Sequence, residues 1–571
     1  MRGIKPSCVR QAEPPAPHLF LWRRRFRLRF AARFFLIGCF AFAGAEGPES
    51  ILDLQPFSKT ETQGTTTLIN LNPAINAWFV LRVSRNGAPE VSYHLENASP
   101  HGSKLSLDAK GLVIAEGNNR HPCDLSESLE SGRNSRLIYY PICEGRVYLR
   151  NPAKGNRTAL EAATEFLRDQ VWGGEKIIVL FHHLLADSHR DTAETYTGEK
   201  ISARPGDSPL PASIDPQYAN RFVMPGNLGI VLQTEPKGMV PGAWYAAAGN
   251  AGIYVSVIQP SFIAPAILTS YKTQVNNLDN VEASALCYLI AFDLDQFELG
   301  YALGTEHPRV DWSDHVLAQM KNSALPGPDG IGSIAPLVST GLVRPEDGRR
   351  TVATFTGGFK REHGAFKYGD LAVKNHGSHY GFIENGVVFS KLQPGLATVL
   401  VLDDGSLQMK TWTEADNAVL ERVKHARQNG VPIVESDAPG RLVNQWGPGN
   451  WSGSEDERLR TMRAGIALQK SAGRSFLIYA VFSDATPSAM ARVFQAYGCS
   501  YAMLTDMNAL EHTYLALYRR TGSHLFVDHL IKGMSVLDKS AGDEVIPRFL
   551  GYPDNRDFFY VMRRSMKEVK P

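Results

Sequence analysis

The stretch "RSFLIYAVFSDATPSAMARVFQAYGCSYAMLTDMNALEHT", residues 474–513, decides the fold. Its first ten residues form an apolar run typical of a buried strand. Thr486 suits the N-cap of a helix, Pro487 its first position and Gly498 its end. A second apolar run then leads to Asp506. The stretch therefore predicts a strand, a helix and a second strand whose end presents polar groups.

Upstream of this stretch, turn signals alternate with apolar runs. Asn-Gly at 385–386 and Asp-Gly at 404–405 each separate two such runs and predict two hairpins. Residues 413–430 predict a helix, because Thr413 and Asp416 form a capping-box pattern and Gly430 suits the end. Mixed hairpins and helices predict an α+β domain with a mixed, largely antiparallel sheet and packed helices.

The chain is long enough for two domains. Residues 46–200 predict a smaller α+β domain of unknown role, with a hairpin about Asn86-Gly87 and a helix that begins with a capping box from Thr158 to Glu161. Residues 201–224 are rich in proline and predict a linker. Residues 225–571 then form the second predicted domain.

The first 45 residues have the pattern of a secretory signal peptide. A basic run, "LWRRRFRLRF", precedes an apolar run, "FFLIGCFAFA", and Ala43-Gly44-Ala45 is a small-x-small cleavage signal. The apolar run is too short to span a bilayer, which takes about 20 residues. Lipid modification at Cys39 and a twin-arginine route remain as alternatives. We therefore expect a secreted or periplasmic protein without a later transmembrane segment.

The charge balance argues against nucleic-acid binding. The chain carries 60 basic and 58 acidic side chains, and nine of the basic ones but one acidic one precede residue 46. The remaining chain is therefore acidic, with 51 basic and 57 acidic side chains and a formal net charge of −6. A nucleic-acid-binding surface would require a basic excess.

Four cysteines follow the signal. Cys123 and Cys143 lie in one loop-rich segment, and an oxidising compartment would let them form a disulfide, with two unpaired thiols as the alternative. Cys287 and Cys499 have the surroundings of small buried hydrophobic residues. The cluster "HHLLADSHRD" at 182–191 matches no zinc-ligand spacing. We expect no metal and no cofactor.

Four motifs between residues 351 and 520 resemble those of the phosphodiester glycosidase family, whose best-known member uncovers mannose 6-phosphate. The family's Asn-(Gly/Ala)-Gly-Phe-Phe strand end is matched by residues 356–360, "TGGFK", and its Arg-Thr-Ala-Ile-Gly-like strand by residues 463–467, "RAGIA". The family's Ser-x-Gly-x-Thr-like turn keeps Ser483 and Thr486. Its Leu-Asp-Gly-Gly-Gly-Ser element stands where this chain has "TDMNALEHT". The resemblance covers about residues 225–565.

The resemblance implies hydrolysis of a sugar 1-phosphodiester or a related glycosidic linkage in an envelope or extracellular glycan. Such a reaction needs a carboxylate near the anomeric carbon and a charge partner for the phosphate. The candidate catalytic residues are Asp506 as the carboxylate, Arg463 as the phosphate partner, and His376 and His379 as proton carriers. The candidate substrate-binding residues are Thr356, Gly357, Gly358, Asn508, His512, Trp446 and Trp451. Glu435, Asp437 and Asp484 are reserve carboxylates.

The departures from the family pattern support an alternative function. Thr356 replaces the family's Asn, and Met507, Asn508 and Ala509 replace three glycines that would let backbone N–H groups approach an anion. The alternative is a non-catalytic relative that binds a glycan or a protein partner. Each candidate side chain could also have a surface or capping role.

The signal pattern yields the first testable prediction. The exported protein should begin at Glu46, because the small-x-small signal ends at Ala45. Intact-mass measurement and N-terminal sequencing of the exported protein would check this. A chain that begins at a lipidated Cys39, or an uncleaved cytoplasmic chain, would contradict it.

Overall fold

The large antiparallel sheets that carry the candidate site are built from apolar strands of the second half of the chain. The computed structural model describes residues 50–85, 88–109, 111–125, 128–158, 161–162, 194–197, 208–234, 237–308, 310–313, 316–360, 380–445 and 458–565. The predicted signal peptide, the Asn86-Gly87 turn, the 182–191 cluster, His376, His379, Trp446 and Trp451 lie outside these ranges. Within them, no helix has the length and apolar character needed to cross a bilayer.

The first part of the chain forms two antiparallel sheets. The order in the larger one is β1-β2-β3-β4-β9-β8 and in the smaller one β5-β6-β7. The elements are β1 Lys59–Gln63, β2 Thr66–Asn70, β3 Trp78–Arg85, β4 Ala88–Asn97, β5 Lys104–Asp108, β6 Gly111–Glu116, β7 Asn119–Cys123, α1 Ser128–Arg133, β8 Tyr139–Ile142 and β9 Val147–Arg150.

The middle of the chain adds two strands that pair with each other and five that join the large sheets. These elements are β10 Glu194–Thr197, β11 Arg221–Met224, β12 Tyr245–Ala246, β13 Ile253–Ile258, α2 Pro265–Leu268, α3 Asn280–Ser284, β14 Cys287–Asp293, β15 Phe297–Ala302, α4 Pro345–Gly348 and β16 Thr351–Thr356.

The last part contributes most strands of the large sheets. These elements are β17 Phe382–Glu384, β18 Val387–Ser390, β19 Ala397–Leu402, β20 Leu407–Thr411, β21 Val423–Gln428, β22 Val434–Glu435, β23 Ala438–Pro439, β24 Thr461–Ser471, β25 Arg474–Ala485, α5 Pro487–Ala496, β26 Cys499–Met507, β27 Leu515–Thr521, β28 His524–His529, β29 Lys539–Ala541, β30 Glu544–Ile546 and β31 Phe558–Arg563. Short 3-10 helices lie at Ile51–Leu54, Cys143–Gly145, Pro216–Tyr218, Pro260–Phe262, Ala318–Met320, Glu414–Arg422, Val443–Gln445 and Lys532–Leu537.

Three large sheets hold the candidate site. Their strand orders are β12-β13-β14-β25-β24-β26-β22-β23, β15-β31-β16-β27-β28 and β18-β17-β21-β19-β20. Every pairing between these strands in the described ranges is antiparallel. The predicted α+β class with a largely antiparallel sheet is confirmed in this broad sense. The predicted layer of packed helices is not confirmed, because α5 is the longest described α-helix, at 10 residues.

The strand–helix–strand prediction for residues 474–513 is confirmed. Strand β25, helix α5 and strand β26 follow one another, and Thr486 Oγ1 accepts a hydrogen bond from the N–H of Ala489 at 3.2 Å. The helix packs on the eight-stranded sheet, with the rings of Phe482 and Phe494 5.5 Å apart. The continuous apolar run of β25 fits this position, because its last ten residues are all buried.

The predicted helix over residues 413–430 is wrong in its second half. The capping box of Thr413 and Asp416 is present, but it starts a 3-10 helix that ends at Arg422. Residues 423–428 then form β21, which pairs with β17 and β19. Pairing on both edges satisfies the backbone, so tertiary context overrides the helical signal of the caps. This strand brings Arg427 into the protein interior.

The two hairpins predicted at residues 385–386 and 404–405 and the burial predicted for two cysteines are confirmed. The hairpins of β17 with β18 and of β19 with β20 turn at the predicted dipeptides, and Asn385, Gly386 and Gly405 have positive φ. Cys287 and Cys499 are free and buried. The division into two domains stays a prediction. The described residues all belong to one compact unit, Gly47–Pro571, and residues from both predicted domains share a hydrophobic core.

The predicted disulfide between Cys123 and Cys143 is confirmed. It closes a loop over a sequence separation of 20 residues and joins the end of β7 to the turn after β8. Such a bridge fits an oxidising compartment.

This disulfide should stabilise the protein measurably. Replacing both cysteines, Cys123→Ser with Cys143→Ser, should lower the free energy of unfolding by about 3 kcal/mol, because the unfolded chain regains loop entropy. Urea unfolding of both proteins would measure the difference. Non-reducing peptide mapping should recover the Cys123–Cys143 peptide pair, whereas two free thiols in exported protein would contradict the bridge.

Candidate functional site

The candidate site lies where the eight-stranded sheet meets the five-stranded sheet of β15, β31, β16, β27 and β28. Strand β26 ends at Met507, and strand β16 ends at Thr356. Thr356 Oγ1 donates to the carbonyl oxygen of His512 at 2.7 Å, and the N–H of Gly357 donates to the carbonyl oxygen of Asp557 at 2.9 Å. Three chain segments thus converge at these strand ends.

Asp506 is buried at the end of β26, with 3% of its surface exposed. Its Oδ1 accepts a hydrogen bond from the N–H of Met507, and its Oδ2 accepts one from Arg556 Nη1, both at 2.8 Å. Burial raises the pKa of Asp506 to about 6, and the charge of Arg556 opposes that rise. Asp506 therefore populates both its acid and its carboxylate form near neutral pH.

Arg556 is the central cation of a buried cluster that it forms with Asp506, Glu161 and His512. Besides Asp506, it contacts Glu161 Oε1 through Nε at 3.2 Å and through Nη2 at 3.1 Å. Its Nη2 also lies 2.8 Å from His512 Nε2. The guanidinium is buried, and each of its nitrogens has a partner within the protein, as a buried charge requires.

His512 acts as a neutral acceptor in this arrangement. Its Nδ1 lies 2.7 Å from the carbonyl oxygen of Met507 and must donate to it, so Nε2 accepts from Arg556. Burial and the charge of Arg556 hold the pKa of His512 well below its usual value. His512 therefore orients Arg556 and remains a neutral imidazole at neutral pH.

Glu161 joins this cluster from the first part of the chain. Its Oε1 receives Arg556, lies 3.2 Å from Lys360 Nζ, and accepts from Asn555 Nδ2 at 3.1 Å. Burial alone would raise the pKa of Glu161, but Arg556 and Lys360 hold it well below its usual value. The predicted cap is present, since Thr158 Oγ1 accepts from the N–H of Glu161 at 3.0 Å. The Glu161 side chain, however, serves a tertiary contact.

The glycine pair of the "TGGF" motif makes room for a second buried ion pair. Arg427 Nε donates to Asp557 Oδ2 at 2.9 Å, and His307 Nδ1 lies 3.1 Å from Asp557 Oδ1. A Cβ on Gly357 would lie 2.6 Å from Asp557 Oδ2, and one on Gly358 would lie 2.7 Å from the Arg427 guanidinium carbon. Larger residues at 357 or 358 would therefore displace this pair.

Arg463 lies on the other face of the sheet from Asp506. It is paired in register with Met507, and successive residues of a strand point to opposite faces. Its guanidinium donates to the carbonyl oxygens of Ala485 and Leu459 and contacts Met507 Sδ at 2.8 Å. Burial lowers the pKa of Arg463 to about 9. Arg556, not Arg463, lies beside Asp506.

The other candidate residues divide between the cluster and more distant positions. Asn508 follows Asp506 closely and has a φ of +82°, a left-handed conformation that asparagine tolerates better than most residues. Glu435 accepts a hydrogen bond from Thr411 Oγ1, and Asp437 lies in the tight turn between β22 and β23. Asp484 is buried near Arg463. These three reserve carboxylates do not contact Arg556 in the described ranges.

The sequence patterns above did not single out the residues that organise the cluster. Arg556 and Asp557 belong to "DNRD", residues 554–557, which precedes the apolar strand β31. Polar residues directly next to an apolar strand are the same signal that identified Asp506 at the end of β26. Lys360 ends the "TGGFK" motif, but Glu161 carried only a capping signal. No group of three or more potential metal ligands occurs in the part of the chain that the structure describes.

Comparisons with known proteins give only distant likenesses. No protein-family profile matches the chain, and no curated protein matches it significantly. The zebrafish N-acetylglucosamine-1-phosphodiester alpha-N-acetylglucosaminidase catalytic domain, auto-inhibited by its pro-peptide, aligns with 9% identity over 65% of this chain and 100% of that one, with a TM-score of 0.29. A Burkholderia pseudomallei protein provisionally named as exported aligns with 9% identity over 59% of this chain and 86% of that one, with a TM-score of 0.20.

The raised pKa of Asp506 should appear as a pH dependence of stability. The folded-state pKa, about 6, exceeds the ordinary value of 3.8, so folding strengthens proton binding. The stabilisation is present at low pH and is lost as the pH rises from about 4 to 6.

Relative to Asp506→Asn, the wild type should therefore lose up to about 3 kcal/mol of unfolding free energy between pH 4 and pH 7. Urea unfolding of both proteins across this range would measure it. Parallel pH profiles for the two proteins would show that Asp506 does not titrate in this window.

Proposed function

We propose that this chain is an exported hydrolase that cleaves a sugar 1-phosphodiester or a related glycosidic linkage, with Asp506 as its acid–base residue. The observation that carries the proposal is a buried carboxyl group at a strand end whose pKa burial raises to about 6. Raised carboxyl pKa values of this kind are typical of the proton donors of glycoside hydrolysis. The disulfide and the signal pattern support export.

In the proposed reaction Asp506 acts first as an acid and then as a base. As the C1–O bond breaks, protonated Asp506 would donate its proton to the departing oxygen, while positive charge develops on the sugar ring. The resulting carboxylate would then remove a proton from the water that adds to C1. Arg556, which contacts Asp506, and Lys360, which lies beside Glu161, would supply positive charge to the phosphate oxygens once a substrate displaced their present partners.

A second candidate function is binding without catalysis, and one observation favours it. The guanidinium of Arg556 is already saturated by Asp506, Glu161 and His512. A substrate phosphate could contact this cation only by displacing one of these three partners. A protein that keeps the cluster as a structural element could still bind a glycan nearby.

Replacing Asp506 distinguishes the two functions. In the mature protein, Asp506→Asn should lower kcat/KM for a sugar 1-phosphodiester at least 100-fold, about 2.7 kcal/mol of transition-state stabilisation, because asparagine cannot transfer the proton. Substrate binding should remain, since the amide keeps the shape of the side chain. Asp543→Asn, an exposed carboxylate in the β29–β30 turn, is the matched control and should be fully active.

The measurements are hydrolysis of a panel of sugar 1-phosphodiesters and calorimetric binding of the same compounds, with thermal melting to verify folding. Glycan binding by a wild type that hydrolyses none of them would support the binding function instead. Equal activity of the wild type and the folded Asp506→Asn variant would remove Asp506 from the mechanism.

A further inference from the structure

A small cavity lies between the first part of the chain and the sheet of β18, β17, β21, β19 and β20. Its volume is about 30 Å³. A buried water needs about 10–15 Å³ on this scale, so the cavity has room for about two waters or for one small oxyanion group. The lining residues are Ile75, Ala77, Pro100, His101, Arg344, Asp403 and Lys424.

Lys424 brings to this cavity a positive charge that has no direct ion pair. It lies on β21, and its backbone carbonyl accepts from the N–H of Gly386. Its ammonium group has no ion pair or hydrogen bond with any residue that the structure describes. Burial and the nearby charge of Arg344 lower the pKa of Lys424, and the carboxylates of Asp347 and Glu298 oppose this.

The other charged residues of the lining are already matched. Arg344 forms an ion pair with Asp347 and lies 3.7 Å from Glu96. The Asp403 carboxylate receives Arg422 Nη2 at 2.8 Å. Among the charged groups lining the cavity, Lys424 is thus the one without a direct ion pair to a described residue.

The His101 imidazole adds a polar group to the lining. Burial and the charges of Lys424 and Arg344 lower its pKa, so the ring is neutral near pH 7. A neutral imidazole can donate one N–H without adding a second charge to the cavity.

We propose that this cavity binds a small oxyanion, such as phosphate, sulfate or a carboxylate group, through Lys424 with support from Arg344 and His101. Lys424 is partly buried and its ammonium group has no direct partner among the described residues, so an anion within hydrogen-bonding distance would gain a charge-assisted hydrogen bond. The flanking guanidinium and the imidazole N–H favour an acceptor with several oxygens, because each donor can then reach a different one.

The cavity is distinct from the cluster around Asp506. The residues lining the cavity include neither Arg427 nor any of Asp506, Arg556, Glu161 and His512. Arg427 faces Asp557 and the glycine pair. An anion at Lys424 would instead contact a wall formed by residues 75–77 and 100–101 and join it to β21. Binding should therefore stabilise the folded protein, independently of any hydrolysis.

The test measures thermal unfolding of the mature protein in sodium phosphate, sulfate, acetate or chloride at one ionic strength. Melting temperature should rise saturably with an oxyanion relative to chloride. The three oxyanion arms identify whether a tetrahedral anion or a carboxylate is preferred. Equal shifts in all four salts would overturn the proposal.

Lys424→Met tests the site directly, because methionine keeps the length of the side chain and removes its charge. The apparent oxyanion affinity should fall at least tenfold. In chloride alone the variant should melt close to the wild type, since Lys424 has no direct ion pair to lose. Lys470→Met, at an exposed position on β24, is the control and should respond as the wild type does.

An oxyanion response that persists in Lys424→Met would refute the assignment. Lys424→Gln serves as a second variant if methionine impairs folding, and it should lose the response in the same way. Hydrolysis of sugar 1-phosphodiesters is measured in parallel. Loss of the oxyanion response with unchanged hydrolysis would support a site separate from Asp506, whereas equal loss of both would contradict it.

Discussion

The buried positive charge of Arg556 is the constraint on which the candidate site depends. A guanidinium removed from water must be paired, and its partners come from Asp506, Glu161 and His512. Arg556 and Glu161 are 395 residues apart in sequence. Pairing this one charge therefore holds the first part of the chain against the strand ends of the eight-stranded sheet and of the sheet of β15, β31, β16, β27 and β28. Removing any one partner would leave an uncompensated polar group in the interior.

The number of cations near each carboxylate gives three neighbouring carboxyl groups different pKa values. Asp557 faces Arg427 and His307, and these outweigh burial and hold its pKa well below the usual value. Glu161 likewise has two cations beside it. Asp506 shares Arg556 with Glu161, so burial prevails and its pKa rises. When the environment gives neighbouring carboxyl groups different pKa values, one can act as an acid while another stays ionised.

Local signals predicted the parts of the fold that local physics controls. The caps of α5, the glycine turns and the cysteine pair each depend on neighbouring residues, and each appeared as predicted. The site depends on contacts across the whole chain. Thr158 gave a correct cap, yet the Glu161 side chain left the cap for Arg556. The capping signals also predicted a helix through residues 423–428. These residues instead form β21, which pairs with β17 and β19.

The altered residues after Asp506 bear on how this site could recognise an anion. A glycine-rich turn can offer its backbone N–H groups to a phosphate. Here the N–H of Met507 is bound to Asp506, and the N–H of Asn508 donates to the carbonyl oxygen of Met462 at 2.8 Å. Asn508 preserves the left-handed turn that a glycine would allow, but both donors are used within the chain. These two N–H groups are therefore not free to bind a phosphate, and the nearby cations Arg556 and Lys360 are themselves paired with carboxylates.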